Sequence, residues 1–197
     1  MQITGIFAAI LAVTPISTST DRPSVLDVLN CKVDSGSWAD IRARIDVISG
    51  ATAAAKSTSD SNANSIFGAD LTFYTLPEPI TFLGHQTQTI ASSEDGFFAV
   101  LNTSDRSGLA IKLGIDPEKA APYSVAVDVP GEKYQSAGDV GGSFLGEREA
   151  YNRKVVKISD GPRYYQRAVH IVFDTNDSPS VSYAGCKYFE GLDTSGL

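Results

Sequence analysis

Apolar and polar positions follow two different periods along this chain, and the switch between them divides it. Trp38, Ile41, Ile45 and Ile48 recur at spacings of three and four, with Asp40, Arg42, Arg44 and Asp46 on the other side. That pattern predicts an amphipathic helix ending at Gly50. Ser24-Val-Leu-Asp27 and Ser37-Trp-Ala-Asp40 each place a serine three residues before an acid, a loose capping box that marks a helix start. Residues 51 to 65 are small and polar, and the stretch from 50 to 68 reads as a flexible polar loop.

From Ala69 the period becomes extended. Residues 71 to 76, LTFYTL, predict a strand broken at Pro77-Glu78-Pro79, and residues 80 to 91 continue as extended chain. Glu94-Asp95-Gly96 leading into FFAVL is a hairpin signature. Ser107 to Gly114 reads as a short helix with a glycine stop, and Asp116-Pro117 as a further helical turn. YSVAVDV, residues 123 to 129, alternates as a strand ended by Pro130-Gly131. A glycine-rich loop follows from Gly138 to Gly146, and strands are predicted at Lys154–Ile158, Tyr164–Phe173 and Val181–Phe189. No repeat at a period of 20 to 50 residues is visible. Helices first and strands afterwards predict an α+β fold, with N-terminal amphipathic helices packed on a mainly antiparallel β-sheet.

The two ends of the chain carry the compartment signals. Ile6 to Val13 is an unbroken apolar run within an uncharged stretch from Met1 to Thr20, followed by Pro15 and the small residues Ser17, Thr18 and Ser19. The run matches a secretory h-region and is too short to span a membrane, so residues 1–20 are read as a signal peptide and 21–197 as one globular domain. No Lys or Arg precedes the run and no A-x-A site follows it. Cys31 lies too far downstream for a lipid anchor. Cys31 and Cys186 are the only cysteines. Lacking a close C-x-x-C pair, they predict one disulfide linking the two ends in an oxidising compartment, and no metal site.

Composition narrows the function classes. The 197 residues suit a single domain, and the net charge of −7 argues against generic binding to nucleic acid. GDVGGSFLG, residues 138 to 146, lacks the Lys-Ser/Thr ending of a phosphate loop and the second glycine of a nucleophile elbow, where Leu145 stands. Only His85 and His170 could activate a nucleophile. His170 alternates with Gln166 and Ala168 opposite Val169, Ile171 and Phe173, which predicts a solvated or rim position. Glu78, Glu94, Asp95, Glu147 and Glu149 are the acids available for glycoside hydrolysis. Asp60-Ser-Asn62-Ala-Asn64 opens like a calcium loop, yet Ser65 replaces its glycine and Leu71 its closing acid. Asp174 to Asp177 reads as a hairpin turn. No catalytic residue and no cofactor are assigned.

Charge layout singles out one segment. From Arg148 to Arg167 six bases face two acids, whereas the rest of the chain has ten bases against 21 acids. Tyr151, Tyr164 and Tyr165 are interleaved with the bases. Tyr and Arg are enriched at interaction hot spots. Arg148, Tyr151, Arg153, Arg163, Tyr164, Tyr165 and Arg167 are therefore the candidate binding residues, facing one protein partner with an acidic surface. The expectation is a monomeric periplasmic or secreted binding protein without enzymatic activity, of inhibitor or immunity type. An envelope hydrolase acting on glycan or peptide through His85, His170 or Glu147 is the alternative, and a structural envelope component a third.

Overall fold

A computed structural model describes residues 23–34, 41, 43, 57–58, 71–118, 135–140, 143–155, 164–174 and 180–192. These residues build one antiparallel sheet of eight strands. They are β1 (Ser57–Thr58), β2 (Thr72–Phe82), β3 (His85–Ser92), β4 (Gly96–Leu101), β5 (Gln135–Val140), β6 (Ser143–Val155), β7 (Tyr164–Asp174) and β8 (Ser182–Leu192). The order across the sheet is β1-β2-β3-β4-β8-β7-β6-β5. Each half of the chain thus forms an up-and-down meander running from an outer strand to the centre, and the halves join where β4 pairs with β8. Helix α1 (Val25–Leu29) precedes the sheet and α2 (Arg106–Lys112) links the two meanders.

This overturns the α+β expectation. The described chain is dominated by antiparallel strands, with two short helices bounded among the described residues. The helix predicted to end at Gly50 lies outside the described residues except at Ile41, which is helical and buried, and Ala43, which is helical and exposed. The strand predicted at residues 123–129 and the polar loop of 50–68, apart from Ser57 and Thr58, also lie outside them.

Three local features made the strands longer than their pattern suggests. First, Pro77 and Pro79 do not end β2. Its register on β3 jumps between Thr75 and Ile80, so the prolines sit in a bulge. Along that stretch no ladder bond from a proline nitrogen is needed. The Gln88 side chain donates to the carbonyls of Leu76 (2.8 Å) and Pro77 (3.3 Å), which the bulge leaves unpaired. Second, residues 80 to 91 contain a hairpin turn at Leu83-Gly84, with φ of 50° and 80°. Positive φ at both central residues is the I′ geometry that matches strand twist, and a leucine there hides it from inspection. Third, the glycine-rich segment is a hairpin rather than a loop. Val140 pairs with Ser143 and Gly138 with Leu145, so only Gly141 and Gly142 separate the strands.

Other expectations hold. The turn before Gly96 connects β3 to β4, α2 stops at Gly114 with φ 72°, and the strands predicted near the C-terminus are β7 and β8. Asp116-Pro117 starts only a turn.

Both faces of the sheet are buried. One face carries Ile90, Phe97, Ala99, Ala168, Val172, Ala184, Cys186 and Tyr188, covered by Val28 and Leu29 of α1 and by Leu109, Ala110 and Leu113 at α2. The other carries Ala91, Phe98, Leu145, Ile171, Phe173 and Tyr183. On it, Phe98 meets Phe173 edge-on at 5.1 Å and Phe173 stacks on Tyr183 at 4.8 Å. Two buried faces explain runs such as FFAVL, in which apolar residues do not alternate with polar ones. At the central seam β4 and β8 come so close that a Cβ on Gly185 would lie 2.1 Å from the Phe97 carbonyl oxygen.

Three bonds fasten the N-terminal arm to the helix-bearing face. Cys31 is bonded to Cys186, 155 residues away, with a Cα–Cα distance of 5.3 Å. The buried Tyr188 hydroxyl donates to Val28 O at 2.6 Å, and the Tyr151 hydroxyl donates to Val33 O at 2.7 Å. At the start of α1, Ser24 and Asp27 form the capping box their spacing predicts.

Candidate functional site

The basic segment folds as the β6–β7 hairpin. Its register shifts by one residue between Glu149 and Tyr151, because Glu149 pairs with Val169 and Tyr151 with Ala168. Ala150 is the extra residue of a β-bulge. A bulge moves every following side chain to the other face of the sheet. Arg148 and Tyr151, an odd number of residues apart, therefore share the helix-bearing face. Strict alternation would have separated them.

The three candidate side chains on the inner half of this hairpin are built into the framework. Arg148 Nη1 donates to the Leu113 carbonyl at 3.1 Å, which ties β6 to the C-terminal end of α2. Tyr151 holds the N-terminal arm through Val33 O. Arg167 lies on the opposite face, where its Nε is 3.3 Å from Glu149 Oε2 with both side chains largely buried. Close by, Lys187 Nζ contacts Asp95 Oδ2 at 3.1 Å and lies 5.2 Å from the centre of the Phe189 ring.

The remaining candidates fall at the outer half. Arg153 stands opposite Gln166, Tyr165 opposite Lys154 and Gly191, and Tyr164 opposite Val155 and Leu192. Arg163 lies outside the described residues, in the 156–163 connection. The structure thus assigns Arg148, Tyr151 and Arg167 to the framework and puts Arg153, Tyr164 and Tyr165 at outer register positions. Of the three with described side chains, Arg148 and Tyr151 share one face of the sheet and Arg167 lies on the other.

His170 occupies a different place from the solvated rim that alternation suggested. It pairs with Arg148 on one side and Cys186 on the other, on the face covered by helices. Its Nδ1 is buried and has no hydrogen-bond partner among the described residues. Burial, followed by the neighbouring Arg148 charge, pushes its pKa below the ordinary histidine value. The neutral ring is therefore the folded form. Stability from this group is fully present above about pH 6.5, the unfolded value, and is lost as pH falls from there toward the lower folded pKa. We expect the urea midpoint of the native protein to fall more between pH 7 and pH 5 than that of His170→Gln. Parallel pH profiles would show that protonation of His170 does not weaken the fold.

His85, His170 and Glu147, the groups named for the hydrolase alternative, do not lie together. His85 on β3 and His170 on β7 are separated across the sheet by β4 and β8, at least about 14 Å at ordinary strand spacing, and are further offset along the strands. Glu147 pairs with Ile171 and shares the face of Leu145, opposite to that of His170. Among the described residues no three His, Cys, Asp or Glu groups are placed to hold a metal ion. The calcium-like segment at Asp60 lies outside them. Among them, too, no helix is long and apolar enough to cross a membrane.

Asp174 is the important polar residue that sequence reasoning missed. Read as the start of a turn, it is instead the last residue of β7, 2% exposed. Its carboxylate accepts from the Phe144 amide at 2.6 Å and pairs with Arg106 of α2. Nothing in the Asp-Thr-Asn-Asp string distinguishes a buried strand-end acid from a turn acid. No family model, curated protein or solved structure matches the chain.

Proposed function

We propose that the protein is an exported, non-enzymatic binding protein of inhibitor or immunity type, working in the periplasm or after secretion. Its contact surface is the outer half of the β6–β7 hairpin, where Arg153, Arg163, Tyr164 and Tyr165 meet one protein partner with an acidic surface. The observation that carries this reading is the Cys31–Cys186 bond that fastens the N-terminal arm to the helix-bearing face of the sheet. Disulfides persist in oxidising compartments, which supports export. A cross-linked scaffold also loses less freedom when it binds. The charge layout supports the choice of surface. Arg148 and Arg167 serve the framework, and in the sequence between them Arg153, Lys154, Lys157 and Arg163 still outnumber the one remaining acid, Asp160.

Affinity capture from envelope and secreted fractions, followed by salt titration and charge reversal, tests it. We expect one dominant acidic partner, bound at least about tenfold more weakly by an Arg153→Glu/Arg163→Glu double variant that retains the native circular dichroism. Charge effects on rim contacts weaken with salt, so rising ionic strength should reduce native binding in the same direction. Recovery of no specific protein, or equal binding by the charge-reversed variant, refutes this reading.

A further inference from the structure

We propose that Asn102 is an acceptor of N-linked oligosaccharide, an inference that rests on export through a secretory pathway. Asn102-Thr103-Ser104 fits the N-x-S/T acceptor pattern, which functions only on an accessible loop of a secreted chain. The fold supplies that accessibility. Leu101, the last residue of β4, is fully buried, and the chain bends at Asn102 before α2 begins. Asn102 and Ser104 are exposed. The intervening Thr103 pins the tripeptide. Its amide donates to Leu101 O at 2.9 Å, its hydroxyl accepts from the Asp105 amide at 3.1 Å, and its carbonyl accepts from the Ser182 hydroxyl at 2.7 Å. The Asn102 carboxamide makes no hydrogen bond among the described residues, so its nitrogen is not committed to the fold.

In the reaction Asn102 Nδ2 attacks the anomeric carbon of an oligosaccharide carried on a polyisoprenyl diphosphate. A C–N bond forms and the C–O bond to the diphosphate breaks. The lipid diphosphate departs, and an amide proton passes to a base of the transferase.

Position makes this modification compatible with binding at the basic hairpin. Leu101 pairs with Ser182, and Ser182 with Asp174, at the end of β7 opposite Tyr164. Ten residue steps along the 11-residue β7 separate the two ends, about 33 Å at the rise of a strand. A glycan on Asn102 therefore leaves the outer half of β6–β7 uncovered.

The test is to express the full chain with its own N-terminus in a eukaryotic secretory host. Intact mass is read with and without peptide-N-glycosidase, and thiols are alkylated before and after reduction. We expect a secreted, disulfide-bonded protein with a glycosidase-sensitive mass increment, and Asn102 converted to aspartate on release. The increment at that site should vanish in Asn102→Gln and Ser104→Ala and persist in Asn176→Gln, which removes the second acceptor pattern, Asn176-Asp-Ser178. A secreted, disulfide-bonded protein unmodified at Asn102 overturns this inference and leaves export standing. A retained chain with two free thiols overturns the export reading, and this inference falls with it.

Discussion

Replacing Cys31 and Cys186 together by alanine should lower stability toward urea by about 5 kcal/mol, the chain-entropy value for so long a closed loop. The effect is large because the link spans 155 residues of sequence and so removes much freedom from the unfolded chain. Helix α1 has five residues, far below the length at which an isolated helix persists in water. Val28 and Leu29 are fully buried and would contribute about 1.5–3 kcal/mol each, but only while the arm stays on the sheet. The two tyrosine hydrogen bonds act at the same place. Tyr188→Phe, with the disulfide intact, leaves the buried Val28 carbonyl only the Cys31 amide, at 3.2 Å, as donor and should cost about 1 kcal/mol. Hydrogen exchange separates local from global effects. In the cysteine double variant the amides of Val28, Asn30 and Lys32 should exchange faster than those of the central strands. A loss below about 1 kcal/mol with those amides still protected would show that the arm docks without the covalent link.

What could be read from the sequence depended on whether a feature was local and chemically distinctive. Two cysteines permit one intramolecular pairing, and the structure contains it. The Ser24–Asp27 box, the turn before Gly96 and the glycine stop after α2 each depend on a few adjacent residues, and each is found. The fold class failed because the decisive features were non-local or chemically disguised. A proline pair ends a strand unless a neighbouring glutamine satisfies the carbonyls of a bulge, and Gln88 lies a full hairpin away from Pro77. Leu83 in a left-handed turn carries no sign of that conformation. Alternation puts His170 on the face opposite Val169, Ile171 and Phe173, as found, but apolar residues on both faces of β7 hide that this face is the covered one.

The candidate site shows the same limit. Bases and tyrosines were found by counting charges, which records where residues lie along the chain. It does not record that Ala150 shifts the register by one. That shift brings Arg148 and Tyr151 onto the helix-bearing face, where they hold α2 and the arm. The Arg167–Glu149 pair was equally hidden, since the two residues are far apart in sequence and meet diagonally across β6 and β7. Removing the framework members from the binding list moves attention to the outer half of the hairpin. Charge reversal at Arg167 would therefore test the fold and not a contact.

The second large effect is expected at Asp174. Asp174→Ala should destabilise the protein by about 3 kcal/mol, because a buried amide loses its acceptor and a guanidinium loses its counter-ion. Arg106 is 28% exposed and can turn to water, which keeps the loss at the lower end of the range for a broken buried pair. Asp174→Asn separates the two contributions. Its amide oxygen can still accept from the Phe144 N–H while the charge is gone, so about half the loss should remain. The consequence for structure is specific. Asp174 joins the first turn of α2 to the end of β7 and the start of β6, and Arg148 holds the other end of the same helix through Leu113. With the first anchor removed, the amides of Leu109 and Leu113 should lose protection against hydrogen exchange before those of β4 and β8. Uniform loss across the sheet would instead mean that Asp174 supports the whole strand meander. An unchanged urea midpoint would mean that its buried charge costs as much in desolvation as its two partners return.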